Sequence, residues 1–144
     1  MSKNNHIRAL PGIKKVSVCE VGKYGGEMLN GKFWMQSTFY ELPVTGIGSL
    51  KVLSQIEDGQ IIYTTSASFK LPDLGCFDYQ SYLSQQSFVF LFEDVKGNRY
   101  IAGNRERPFP TLTIEKRFGD TPTDQRILNI EFNLRDTNGL FEVL

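Results

Sequence analysis

Histidine occurs once in this sequence, as His6, and cysteine twice, as Cys19 and Cys76. A lone imidazole in a polar N-terminal stretch gives no support to a Ser–His or Cys–His nucleophile, or to a histidine-rich metal site. The two cysteines lie far apart and form no chelating pair, so zinc has no ligand set. Sequence cannot tell a bridged pair from two free thiols, although the compartment rule favours free thiols in a reducing environment. Net charge is also lacking, with 16 Lys+Arg against 16 Asp+Glu. This removes the positive field that sequence-independent nucleic-acid binding needs, and specific nucleic-acid binding is not expected either. Near-neutrality gives little resistance to self-association. No stretch approaches the ~20 apolar residues of a membrane helix, and no apolar run follows Met1–Asn5. Neither an embedded chain nor secretion by an N-terminal signal is therefore expected.

What is present reads as strands. At 144 residues the chain suits one domain, able to bury roughly 68–70% of its unfolded surface without metal or disulfide staples. Ile61, Tyr63, Thr65, Ala67, Phe69 and Leu71 alternate with Ile62, Thr64, Ser66, Ser68 and Lys70, and Leu128, Ile130, Phe132 and Leu134 alternate with polar neighbours. A period of two marks strands with one dry and one wet face. Phe88–Phe92 is continuously apolar, too short for a buried helix, and predicts a strand covered on both faces. The Lys96-Gly97-Asn98 turn folds the chain back into a hairpin. Glu57-Asp58-Gly59 joins Leu50–Ile56 to the long strand, and Thr137-Asn138-Gly139 leads into Phe141–Leu144. Weaker strands are expected at Lys14–Val21, Phe33–Leu42 and Thr111–Phe118. A short helix over Tyr79–Gln85 has Asp78 as its cap, with Tyr79, Tyr82 and Leu83 on one face. The pattern predicts a single all-β domain: an antiparallel β-sandwich or partly open barrel of about eight strands with one short helix, and residues 1–10 as a flexible arm.

Chemistry-bearing motifs are weak. The carboxylate pairs Glu57–Asp58, Glu93–Asp94 and Asp120/Asp124 could suggest glycosidic or calcium chemistry, but adjacent strand residues face opposite sides and Glu57–Asp58 is turn composition. Gly22, Gly25 and Gly26 lack the strand–loop–helix context of a phosphate cradle. No catalytic residue, cofactor site or metal site is assigned. The aromatics Phe33, Trp34, Phe39 and Tyr40 suit a core strand or an interface, where such residues are enriched. Arg99, Arg105, Arg107, Lys116, Arg117 and Arg126 are interspersed with acids, which fits a salt-bridged surface or subunit contact. The glycine-rich Gly22–Gly31 and proline-containing Gly103–Pro110 segments are expected to be loops that meet partners.

The segment Ser87–Gly103, followed by Pro108–Thr113 and the strand Arg126–Asn133, resembles small virion proteins of phages and prophages of Bacteroides-type bacteria. The likeness spans about Leu50 to Phe132 and rests on an acidic-Gly-Asn hairpin, an aromatic-x-x-Gly turn, a proline loop and a closing strand. It implies a subunit of a tail or neck ring, assembled in the bacterial cytoplasm and resident in the virion, whose partners are copies of itself and other virion proteins. Exposed edges and arms would do the work. The contact residues expected are Phe33, Trp34, Tyr40, Arg105, Arg107 and Phe109. The alternative is a small-ligand-binding bacterial β-barrel whose inward aromatics line a pocket. A carboxylate-dependent hydrolase ranks behind both.

Overall fold

The computed structural model describes residues 6–29, 32–35, 37–73, 78–104, 107–117, 127–137 and 139–143. Among these residues the strands run in the order β1 (His6–Ala9), β2 (Ile13–Glu20), β3 (Gly26–Leu29), β4 (Lys32–Met35), β5 (Tyr40–Leu42), β6 (Ser49–Glu57) and β7 (Gln60–Pro72). Helix α1 (Tyr79–Ser84) follows, then β8 (Phe88–Asp94), β9 (Arg99–Ala102), β10 (Thr111–Arg117), β11 (Ile127–Asp136) and β12 (Phe141–Glu142). One antiparallel sheet is ordered β1-β6-β7-β11-β10 and the other β12-β9-β8-β2-β5, while β3 and β4 form a separate two-stranded ribbon. The sheets stay open and make a β-sandwich, not a closed barrel.

The period-two reading accounts for the core. Thr65, Ala67, Phe69 and Leu71 of β7, and Leu128, Ile130, Phe132 and Leu134 of β11, are buried between the sheets, whereas Glu131, Asn133 and Arg135 are exposed. The register pairs Phe132 with Ala67 and Ile130 with Phe69. From the facing sheet, Phe90 and Phe92 meet Phe132 edge-on, with ring centroids 4.9 and 5.3 Å away. Three rings in offset contact thus tie the layers together.

Strand β8 is covered on both faces, as its unbroken apolar run requires. Phe88, Phe90 and Phe92 enter the main core. Val89 and Leu91 enter a smaller cluster with Cys19, Tyr24, Ile101 and Val143, against which Val21, Phe39 and Phe141 pack. The Gly22–Gly31 stretch therefore departs from the loop expected of it: its start covers the back of the second sheet, and Gly26–Leu29 is a strand paired with β4. Tyr24 meets Phe39 edge-on at 6.3 Å, and the Ser37 hydroxyl donates to the Gly25 carbonyl at 2.8 Å. That cross-link closes the turn of chain between them.

The β8–β9 hairpin is fastened by Asp94, whose Oδ1 accepts from the Lys96 and Asn98 amides, both at 2.9 Å. Gly97 supplies the positive φ of 91°. In the β6–β7 turn, Asp58 and Gly59 adopt φ 50° and 79°, the left-handed pair a tight hairpin needs.

Two further expectations are corrected. Phe33–Leu42 is not one strand, because β4 and β5 belong to different sheets. Residues 6–9 of the expected arm form β1, paired with β6 from His6↔Ser54 to Ala9↔Lys51. Among the described residues β1, β3 and β4 as a separate strand join the expected set; they are too short to show a period. Cys19 is a buried free thiol, and Cys76 lies outside the described residues. Among the described residues, no helix is long and apolar enough to cross a membrane.

Candidate intersubunit surface

The expected contact residues fall into three places. Phe33 and Trp34 lie on β4, opposite Met28 and Glu27 of β3. Tyr40 begins β5, the three-residue edge of the second sheet, and is 73% exposed. Arg107 is exposed and Phe109 half-buried in the connection from β9 to β10, while Arg105 lies outside the described residues. At the base of that connection Gly103 adopts φ 110°, a backbone conformation that favours glycine.

Tyr40 is one wall of a cleft of about 600 Å3 lined by Glu20, Lys23, Tyr40, Glu41, Leu42, Tyr79 and Tyr82. Three distant segments build it. The pairing of β2 with both β8 and β5 brings Glu20, the last residue of β2, beside the edge strand. Helix α1 supplies Tyr79 and Tyr82. Its N-terminus is capped by Asp78, whose carboxylate accepts from the Ser81 amide at 3.1 Å, and Leu83 anchors it in the core. The Tyr82 ring lies 5.2 Å from that of Phe88. Burial, then the nearby Glu20 carboxylate, pushes the Tyr82 phenol above its ordinary value. The charges are loosely paired: Lys23 with Glu20 at 3.4 Å and Lys15 with Glu41 at 3.7 Å. Such exposed pairs contribute little and exchange readily.

The cleft can stack, hydrogen-bond and hold a cation against tyrosine faces and carboxylates. Among the described residues no three metal-ligating side chains converge anywhere. Sequence reasoning singled out Tyr40 but missed its companions. The shared face of Tyr79, Tyr82 and Leu83 is the one that meets the core, with Leu83 buried and the two tyrosines packed against it while also lining the cleft.

On the other flank of α1 a groove of about 570 Å3 runs along β10, walled by Gln80, Leu83 and Ser84 on one side and Pro110, Leu112 and Ile114 on the other, over Phe88 and Phe90. The helix thus stands between the two clefts. Further apolar exposure is grouped. Ile56 and Ile61, directly opposed across the β6–β7 hairpin, are 54% and 49% exposed. Ile47 and Val95, both beside Gly12, are similarly open.

Compared with known proteins, this chain matches no protein-family model, no curated protein and no solved structure.

Proposed function

We propose that this protein is an assembly subunit without catalytic function, a building block of a phage particle that forms a ring in the tail, tail tube or head–tail junction. Its partners are copies of itself and other virion proteins. The observation that carries the reading is the contrast between a filled interior and an adhesive rim. Phe69, Phe90, Phe92 and Phe132 occupy the space between the sheets. Large apolar side chains meanwhile stand out at strand ends and edges as Tyr40, Ile47, Ile56, Ile61 and Val95. Ile56 and Ile61 stand side by side, and contiguous apolar exposure is the kind that favours contact with other proteins. The virion assignment rests on the sequence resemblance at the β8–β9 hairpin and proline connection. A ligand-binding barrel is less well supported, because the inward aromatics fill the core and the tyrosine cleft lies at the rim.

Light scattering coupled to size exclusion, followed by negative-stain imaging over a rising concentration series, tests the proposal. Closed rings or stacked tubes are the expected species. A chain that stays monomeric at all concentrations, alone and with its genomic neighbours' products, overturns it.

A further inference from the structure

Two exposed apolar clusters stand at opposite ends of the sandwich. One is the tip of the β6–β7 hairpin. The alternation that sends Leu50 of β6 and Ala67 and Phe69 of β7 into the core carries Ile56 and Ile61 onto the same side. Pairing with β1 stops at Ser54 and pairing with β11 at Tyr63. Among the described residues the last three pairs of the hairpin therefore overhang the sheet, and both isoleucines stay open. The other cluster lies where β6 begins. Gly48, just before it, exchanges both backbone hydrogen bonds with Ile13 at the start of β2, and the Val95 amide donates to the Gly12 carbonyl at 2.8 Å. Ile47 and Val95 thus flank Gly12, which places no side chain between them. The nine residues of β6 set the two clusters about 30 Å apart at ordinary strand rise.

Charge divides in the same way. Asp58 stands in the hairpin turn beside Ile56 and Ile61, and Lys96 follows Val95; both are exposed, and neither enters an ion pair among the described residues. Their charged neighbours are already paired, Glu57 with Arg135 and Glu93 with Lys14. We infer that the β6–β7 tip of one copy seats on the Gly12, Ile47 and Val95 end of a second copy, with Asp58 facing Lys96. This rests on the assembly reading above and names the surfaces that carry it. A tip meeting a tip would bring two Asp58 carboxylates together, and the other end meeting its like would do the same with two Lys96 ammonium groups. Only the unlike pairing joins opposite charges. Contacts between unlike surfaces propagate from copy to copy and close into rings when the rotation allows.

Two full-length double variants test this. Ile56→Thr/Ile61→Thr keeps branched strand formers at the tip, and Ile47→Ser/Val95→Ser alters exposed positions outside the core; each is checked for native circular dichroism. By light scattering coupled to size exclusion, each alone is expected to self-associate about tenfold more weakly or worse. Their equimolar mixture forms one-to-one pairs and nothing longer, because each mixed pair retains one intact tip and one intact receiving end. Lys96→Glu, on an exposed turn, gives an independent reading: it sets like charges against each other and weakens assembly, and the loss shrinks as salt is raised. Assembly unchanged in both double variants overturns the inference while leaving the assembly reading intact, with the interface elsewhere. Loss confined to one double variant, or a mixture that yields no pairs, refutes the pairing of these two ends. Assembly indifferent to Lys96→Glu removes the Asp58–Lys96 contact from it. A wild-type chain that never self-associates overturns both proposals.

Discussion

Replacing Phe132 with alanine tests whether the three-ring contact joins the sheets. Phe132 is 1% exposed, and its ring meets Phe90 and Phe92 from the opposite layer at 4.9 and 5.3 Å. Truncating a buried phenylalanine costs about 3–5 kcal/mol, combining lost transfer energy with the cavity left behind. The aromatic pairs account for roughly 0.5–1.5 kcal/mol each within that sum. The site is enclosed by strands on both sides and cannot collapse easily, so the expected loss is about 4 kcal/mol, a large share of the roughly 5–15 kcal/mol typical of a domain. At roughly 3 °C per kcal/mol for a chain of this size, the midpoint falls by about 12 °C. Urea unfolding of the dilute chain should show a lower midpoint at unchanged slope. Phe132→Leu keeps most of the volume without the ring and should lose about 1–2 kcal/mol. An alanine variant within about 1 kcal/mol of wild type would refute the claim that this contact joins the layers.

Other substitutions probe the turns and close approaches. Asp94→Ala removes both amide contacts of the β8–β9 hairpin and should cost about 2–3 kcal/mol, whereas Asp94→Asn keeps an acceptor and should cost under about 1 kcal/mol by urea unfolding. Equal losses would show that the turn does not depend on that acceptor. At Gly48 an added Cβ would lie 2.6 Å from the Ser68 carbonyl oxygen, so Gly48→Ala is expected to lose about 2–3 kcal/mol. Gly12→Ala clashes with the exposed Ile47 side chain, which can turn away, and meets the Gly48 carbonyl oxygen at an ordinary 3.6 Å, so thermal melts should rank the two clearly. Burial pushes the Tyr24 phenol from 10.0 to about 12. Folding therefore favours its neutral form, a contribution fully present below the unfolded value and lost as pH climbs through the folded one. Stability measured between pH 10 and 12 should fall less steeply in Tyr24→Phe, and identical slopes would contradict the assignment.

Much of the fold was legible because its signals are local. Alternation identified β7 and β11, the unbroken Phe88–Phe92 run identified a strand hidden on both sides, and Gly97 and Gly59 marked the hairpins. What stayed hidden depends on partners distant in sequence. Strand β1 exists through pairing with β6, more than forty residues later. Gly26–Leu29 reads as a glycine-rich loop until β4 is laid beside it, and the break between β4 and β5 is fixed by a Ser37–Gly25 contact that no short window contains. The tyrosine cleft was opaque for the same reason: residues 20–23, 40–42 and 79–82 meet only after β2 has taken its place between β8 and β5.

An apolar stripe normally fixes how neighbouring strands align, because sliding by one residue turns its oily side to water. Phe88–Phe92 forgoes that safeguard, since a slip would merely exchange one greasy surface for another. Correct alignment must then come from bulk, since the phenyl rings enter the larger cluster and Val89 and Leu91 the smaller one, and from the carboxylate that ends the strand. Mutational tolerance should accordingly be lowest where side-chain size, not polarity, distinguishes the two sides.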